Sequence, residues 1–369
     1  MRILIASDKY KGSLTATQVA QTISQALRET LPEVDCDLCP IADGGEGTTE
    51  AMVTALGGEW LSAPVEDAQG RPLEARYGLC RRQGILEMSA ASGLALVTDL
   101  PLKPETASTY GTGLMMKHAA AHGAERILIG IGGSATNDGG LGMAAALGWR
   151  FLDESGQELP AVMEQMHRLH QVEKLVDFAC PVLVACDVEN PLLGERGATR
   201  VYGRQKGVQD AAWFEERLDR MAEVVASAIG SDPRDVPGAG AAGGLGWGLM
   251  AFCGARLTSG FDVVAEQIGL EKRVAEADLI ITGEGRLDAQ TLHGKGPVGI
   301  AQMARRLGKR VIAFAGSIEE NAELRARFDL AYAIKPAEMP LTEAVARAQE
   351  LLDQTVRASA PEIRALGVG

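Results

Sequence analysis

At 369 residues the chain exceeds the size of one ordinary core, and with 46% hydrophobic and 23% charged residues it has apolar material for two. Its 36 basic and 49 acidic residues leave a formal net charge of −13, a field that repels nucleic acid and anionic membranes and argues against both as partners. No apolar run reaches the roughly 18 residues of a membrane span and the start lacks a signal-peptide pattern, so a cytoplasmic protein is expected.

In chain order, residues 3–6 form an apolar run that predicts a strand, followed by a polar loop at 7–13. A helix is expected from about Thr15, with Val19, Ile23, Ala26 and Leu27 at helical spacing. Residues 34–41 read as a second strand entering Ala42-Asp43-Gly44-Gly45-Glu46-Gly47-Thr48, with a helix over 49–56. This strand–loop–helix repetition is the pattern of a parallel sheet with helical crossovers. Alternating segments at 59–65, 73–79 and 84–88 then predict antiparallel ribbons. Helix, strand and helix follow at 112–121, 126–131 and 141–147, then a strand at 182–186 and helices at 211–229 and 244–252. The end returns to the opening texture, with strands at 279–282, 311–315 and 331–334 and helices at 298–307 and 341–357.

These elements imply an α/β protein of two domains. One is a Rossmann- or flavodoxin-like parallel sheet built from residues 1–60 and 275–369. The other is a mixed α/β domain inserted over residues 61–274, with the active site expected in the cleft between them.

Glycine accounts for 44 residues, about 12% of the chain against a usual share of roughly 7%, and it collects in short loops beside acidic and hydroxyl residues. Five strands run into such loops, at residues 7–13, 42–48, 130–140, 186–199 and 282–295. One is ordinary turn chemistry; five point to a shared polar site. In residues 130–140 the exposed backbone donors and the following helix suit a phosphate, while Asp138 is equally suited to cap that helix. Gly238-x-Gly240-x-x-Gly243 follows Pro237 and not a strand, so a dinucleotide fingerprint fails; a phosphate loop of another kind and close helix packing both remain open. No Walker A sequence and no Gly-x-Ser-x-Gly elbow is present. The six cysteines read as small buried apolar residues, and His118 and His122 as an ordinary helix face.

Taken together, Asp8-Lys9-Tyr10-Lys11-Gly12-Ser13-Leu14, the loop at 42–48, the loop at 130–140, Ala185-Cys186-Asp187-Val188, Gln205-Lys206-Gly207, the stretch at 237–244 and Thr282-Gly283-Glu284-Gly285-Arg286 resemble, in order, the motifs of bacterial type I glycerate kinases. Leu114, Arg204 and Lys9 depart from residues common in that family (Glu, Pro and Ser respectively). The resemblance implies phosphorylation of D-glycerate by ATP with Mg²⁺, usually to 2-phosphoglycerate. For such direct in-line transfer, Asp187, Asp43 and Lys11 are the expected catalytic groups. Asp8, Lys206, Arg286, Lys295, Gly132, Gly133, Ser134, Asn137 and Gly240 are expected to bind substrate and phosphates. Asp138, Glu284 and Asp288 are the expected metal ligands. The rival readings are a 3-kinase, a non-catalytic sensor of nucleotide or organic acid, and a metal-dependent hydrolase; a homodimer is compatible with all of them.

Overall fold

A computed structural model describes residues 1–42, 44–289, 291–292 and 296–367. Its strands are β1 (Arg2–Ser7), β2 (Asp35–Leu38), β3 (Glu59–Glu66), β4 (Pro72–Cys80), β5 (Gln83–Glu87), β6 (Arg126–Gly130), β7 (Trp149–Leu152), β8 (Gln171–Lys174), β9 (Val182–Ala185), β10 (Arg256–Thr258), β11 (Leu279–Leu287), β12 (Arg310–Ile318) and β13 (Leu330–Ala333). The chain divides into two compact units. The first comprises Met1–Asp43, Glu50–Gly57 and Phe261–Gly369; the second comprises Gly44–Thr49 and Gly58–Gly260.

The first unit is built on a five-stranded sheet in the order β13-β12-β11-β1-β2, with every pairing parallel. This is the flavodoxin-like order expected from the two ends of the chain. Ile3, Leu4, Ile5 and Ala6 are all wholly buried, as they must be in a strand covered on both faces, and the sequence therefore reads as an unbroken apolar run. The helix Ala16–Thr30 starts where Thr15 accepts from the Gln18 amide and Gln18 reaches back to the Thr15 amide, a reciprocal cap worth about 1 kcal/mol. Its buried stripe of Val19, Ile23, Ala26 and Leu27 joins the core with Leu351, Leu352 and Val356 of the helix Ala348–Gly367. β1 has β2 on one side and β11 on the other, so the carboxyl ends of β1 and β11 flank the point where strand order reverses.

The second unit carries a six-stranded mixed sheet, ordered β10-β9-β6-β5-β4-β3, with β5, β6, β9 and β10 parallel and β3 and β4 antiparallel. Its core gathers Tyr77, Met116, Phe214, Leu218 and Trp247, all nearly or wholly buried. The antiparallel pair β7–β8 and the three-residue strand β10 have no counterpart in the sequence reading. The single helix expected over 341–357 is two, Leu341–Ala346 and Ala348–Gly367, separated at Arg347. No helix among the described residues is long and apolar enough to cross a membrane.

Candidate functional site

Three of the glycine-and-acid loops meet in the second unit, over the carboxyl ends of parallel strands. Gly130 closes β6, and a Cβ there would lie 2.4 Å from the Gly44 carbonyl oxygen. Gly44, at φ 87°, leaves no space for a side chain between Ala185 and Gly260, and Gly132 faces the Cα of Gly45. These contacts demand glycine on steric grounds, so the abundance of glycine here follows from backbone packed on backbone. Glu87, the last residue of β5, fastens the segment: its carboxylate accepts from the amides of Gly47 at 3.2 Å and Thr49 at 2.8 Å. Asp187, two residues beyond β9, is exposed and accepts from the Gly260 amide at 3.1 Å. Beside it, burial pushes the Cys186 thiol up.

The loop at residues 130–140 is tied down along its length. Leu94 donates from its amide to the Gly133 carbonyl and Ala135 donates to the Ser92 carbonyl, so Ser134 is bracketed by backbone bonds. Gly132 and Gly133 stay exposed. Asp138 is fully buried, and its two oxygens accept from the Thr109 amide and hydroxyl, both at 2.8 Å, and from the amides of Gly140 and Gly142. Burial pushes its carboxyl up, opposed by these donors. Four protein donors are the surroundings of a structural carboxylate that anchors the start of the helix Leu141–Ala146, and they occupy the oxygens a metal would need.

Lys206 is 2% exposed, in a charged residue type that is almost never buried without partners. Its Nζ donates to Ser134 Oγ at 2.5 Å and to the Thr136 carbonyl at 2.6 Å. Burial pushes this ammonium down to about 7, against the attraction of Asp138. Asn137 donates from Nδ2 to Thr199 Oγ1 at 2.8 Å. Gly240 is pressed against the Pro191 carbonyl oxygen, where a Cβ would sit 2.1 Å away, and Gly243 is pressed in the same way against the Thr136 carbonyl. Ala242, Gly243 and Gly244 take positive φ inside the helix Ala241–Cys253 to make that approach. Close packing accounts for these glycines without a ligand.

In the first unit the loop after β1 adjoins the outer half of β11 at the strand-order reversal; β11 runs on through residue 287 paired with β12, where a loop was expected from residue 282. The Asp8 amide donates to the Gly283 carbonyl at 2.8 Å, and a Cβ on Gly285 would meet the Lys11 amide nitrogen at 3.1 Å. Glu284 accepts from Thr291 Oγ1 at 2.7 Å, and Arg286 pairs with Asp288 at 3.2 Å. Lys11 and Arg286 are exposed. Tyr10 lies buried beneath them, its hydroxyl donating to the Phe314 carbonyl at 2.9 Å. The backbone at Asp8 and Lys11 thus lies against β11 at Gly283 and Gly285, next to Glu284 and to the Arg286–Asp288 pair. Asp43 and Lys295 lie outside the described residues.

Sequence reasoning missed Glu87 and Thr109. Glu87 ends a strand and was detectable by its position alone, but no glycine flags it. Thr109 had no local signal, since its partner Asp138 is 29 residues away.

Comparison with known proteins matches residues 3–363 to the model of the glycerate kinase family. A protein of Halalkalibacterium halodurans named glycerate kinase is 43% identical over 365 residues, covering 96% of each chain. One of Escherichia coli strain K12 named glycerate 2-kinase is 44% identical over 331 residues, covering 87% of this chain and 86% of that one. A crystal structure from Salmonella typhimurium LT2, provisionally assigned as glycerate kinase 2, superposes with a TM-score of 0.89 at 42% identity, covering 99% of this chain and 98% of the other.

Proposed function

From the premise that this chain belongs to the glycerate kinase family, we propose that it transfers the γ-phosphoryl group of ATP in line to a hydroxyl of D-glycerate, giving 2-phospho-D-glycerate. The observation that carries this reading is the convergence of three glycine-and-acid loops on the carboxyl ends of β5, β6 and β9, in a chain matched to the family from residue 3 to residue 363. Phosphoryl transfer asks mainly for positioning and charge neutralisation, and both are local properties of such loops.

Asp187 and Asp43 are assigned to the acceptor hydroxyl. Of these, Asp187 is exposed at a strand end, where a substrate is able to reach it. Glu284 and Asp288, both only half-buried, are assigned to Mg²⁺ in preference to Asp138, which is wholly buried. Hard carboxylate oxygens suit Mg²⁺, which commonly relies on one or two protein carboxylates together with substrate phosphates; when bound it neutralises phosphate charge. Lys11, Arg286 and Lys295 are the cations assigned to phosphate or carboxylate oxygens, and the exposed backbone at Gly132 and Gly133 offers amides to a phosphate.

ADP release with D-glycerate, ATP and Mg²⁺, followed by phosphorus NMR of the product, tests the proposal. A 3-phosphoglycerate signal would change the regiochemistry, and no ADP release would remove the kinase reading. Asp187→Asn is expected to lower kcat by about 10²- to 10⁴-fold with folding intact; a near-normal kcat would remove Asp187 as base.

A further inference from the structure

We propose that Lys206 is a positioning residue that sets the Ser134 hydroxyl as an outward-facing donor to an anionic oxygen of one substrate, a carboxylate or a phosphate oxygen. The inference rests on the kinase reading above and deepens it. Lys206 was expected to touch the anion itself, but it lies 2% exposed with its Nζ engaged by Ser134 Oγ at 2.5 Å and the Thr136 carbonyl at 2.6 Å.

Below about pH 7, where the kinetics described below are run, Lys206 is an ammonium and only donates hydrogen bonds, so Ser134 Oγ is the acceptor in that pair. Its own hydrogen cannot lie along the same line and turns to another direction. Among the described residues Ser134 Oγ has no second hydrogen-bond partner. Rotation of the loop does not relieve this, because the Gly133 carbonyl and the Ala135 amide are bonded to Leu94 and Ser92 on either side. Ser134 is 7% exposed and directly follows the exposed Gly132 and Gly133, the nearest route from its hydroxyl to a substrate. A hydroxyl that accepts from a cation is polarised and becomes a stronger donor. Positive character thus reaches the loop surface in a chain whose net charge of −13 otherwise repels an anionic substrate.

Steady-state kinetics of the full chain, with ATP and D-glycerate varied in turn, test the relay. D-glycerate-dependent ADP release by the wild-type enzyme is measured first; its absence counts against the kinase reading, whereas an active wild type leaves the relay to be judged by the variants. Ser134→Ala is expected to raise the KM of one substrate by about 10- to 100-fold, with kcat and the other KM within about twofold. Ser134→Thr, which keeps the hydroxyl, should return that KM to within about threefold of wild type. Lys206→Met should raise the same KM, and the double variant should be no worse than the worse single one, since both changes break one chain of donors. Whether the affected KM is that of ATP or of D-glycerate identifies a phosphate or a carboxylate as the anion. Unmoved KM values in Ser134→Ala would overturn the proposal. So would a folded Lys206→Met that shifts the other KM or multiplies with Ser134→Ala. Should Lys206→Met fail to fold, Lys206→Gln, which keeps a donor without the charge, is measured in its place with the same expectations.

Discussion

Raising the pH from 7 to 8.5 should stabilise the unit that contains Lys206, measured against a variant lacking its ammonium. Burial pushes that ammonium from its ordinary 10.5 down to about 7. In the unfolded chain the group keeps its proton up to about 10.5. Between the two values the unfolded state therefore binds more protons, and stability climbs with pH; well below 7 both states are protonated and the slope vanishes. The whole displacement corresponds to roughly 5 kcal/mol of burial cost at low pH, of which roughly 1.5–2 kcal/mol should be relieved between pH 7 and pH 8.5. All four tryptophans, Trp60, Trp149, Trp213 and Trp247, belong to the same unit as Lys206, so tryptophan fluorescence during urea unfolding reports that unit selectively. Buried thiols such as Cys253, pushed up to about 12, titrate in the opposite sense at alkaline pH and are common to both proteins. The quantity to follow is therefore the wild-type free energy minus that of Lys206→Met. If that difference stays constant across the range, within about 0.5 kcal/mol, Lys206 is not a desolvated ammonium and the electrostatic account of the site fails.

Three further outcomes follow from the same geometry. Thr109→Val removes the hydroxyl that donates to Asp138 and accepts from the Met143 amide, so the tryptophan-detected unfolding free energy should fall by about 1–3 kcal/mol; an unchanged value would mean Asp138 is satisfied in another way. Gly130→Ala drives a methyl into the Gly44 carbonyl, displacing the segment Gly44–Thr49, and should cost about 1–3 kcal/mol together with a fall in kcat. A fully active, fully stable Gly130→Ala would show that the packing there yields. Thr15→Ala deletes the cap of the helix Ala16–Thr30 in the first unit and should cost about 1 kcal/mol in global unfolding followed by circular dichroism, while leaving the tryptophan-detected transition unmoved.

The fold was legible wherever local signals are strong. Unbroken apolar runs such as Ile3-Leu4-Ile5-Ala6 and Leu279-Ile280-Ile281 belong to strands buried on both faces, and short loops to helices tell of parallel crossovers. That is why the five-stranded sheet of the two chain ends was foreseeable, and the inserted mixed sheet with it. The pair β7–β8 was not: Trp149–Leu152 directly follows a stretch read as helix, and Gln171–Lys174 is mostly polar.

The glycine-and-acid loops also announced themselves by composition, since chain direction alone places the loop after a parallel strand at the sheet's carboxyl edge. What sequence could not divide was the use of each residue. Asp138 and Asp187 look alike in the chain, both acidic beside a strand-end loop. Only tertiary contacts make the first a buried anchor with four donors and leave the second exposed. Lys206 reads in the sequence as a cation for substrate or phosphate, and only the fold brings residues 134 and 136, some 70 positions earlier, to its ammonium. Residue type and local spacing determined which chemistry the chain has available. Burial, and partners distant in sequence, decided which of those groups is shielded from solvent and which stays at the surface where a substrate arrives, because desolvation and hydrogen bonding are properties of the folded surroundings.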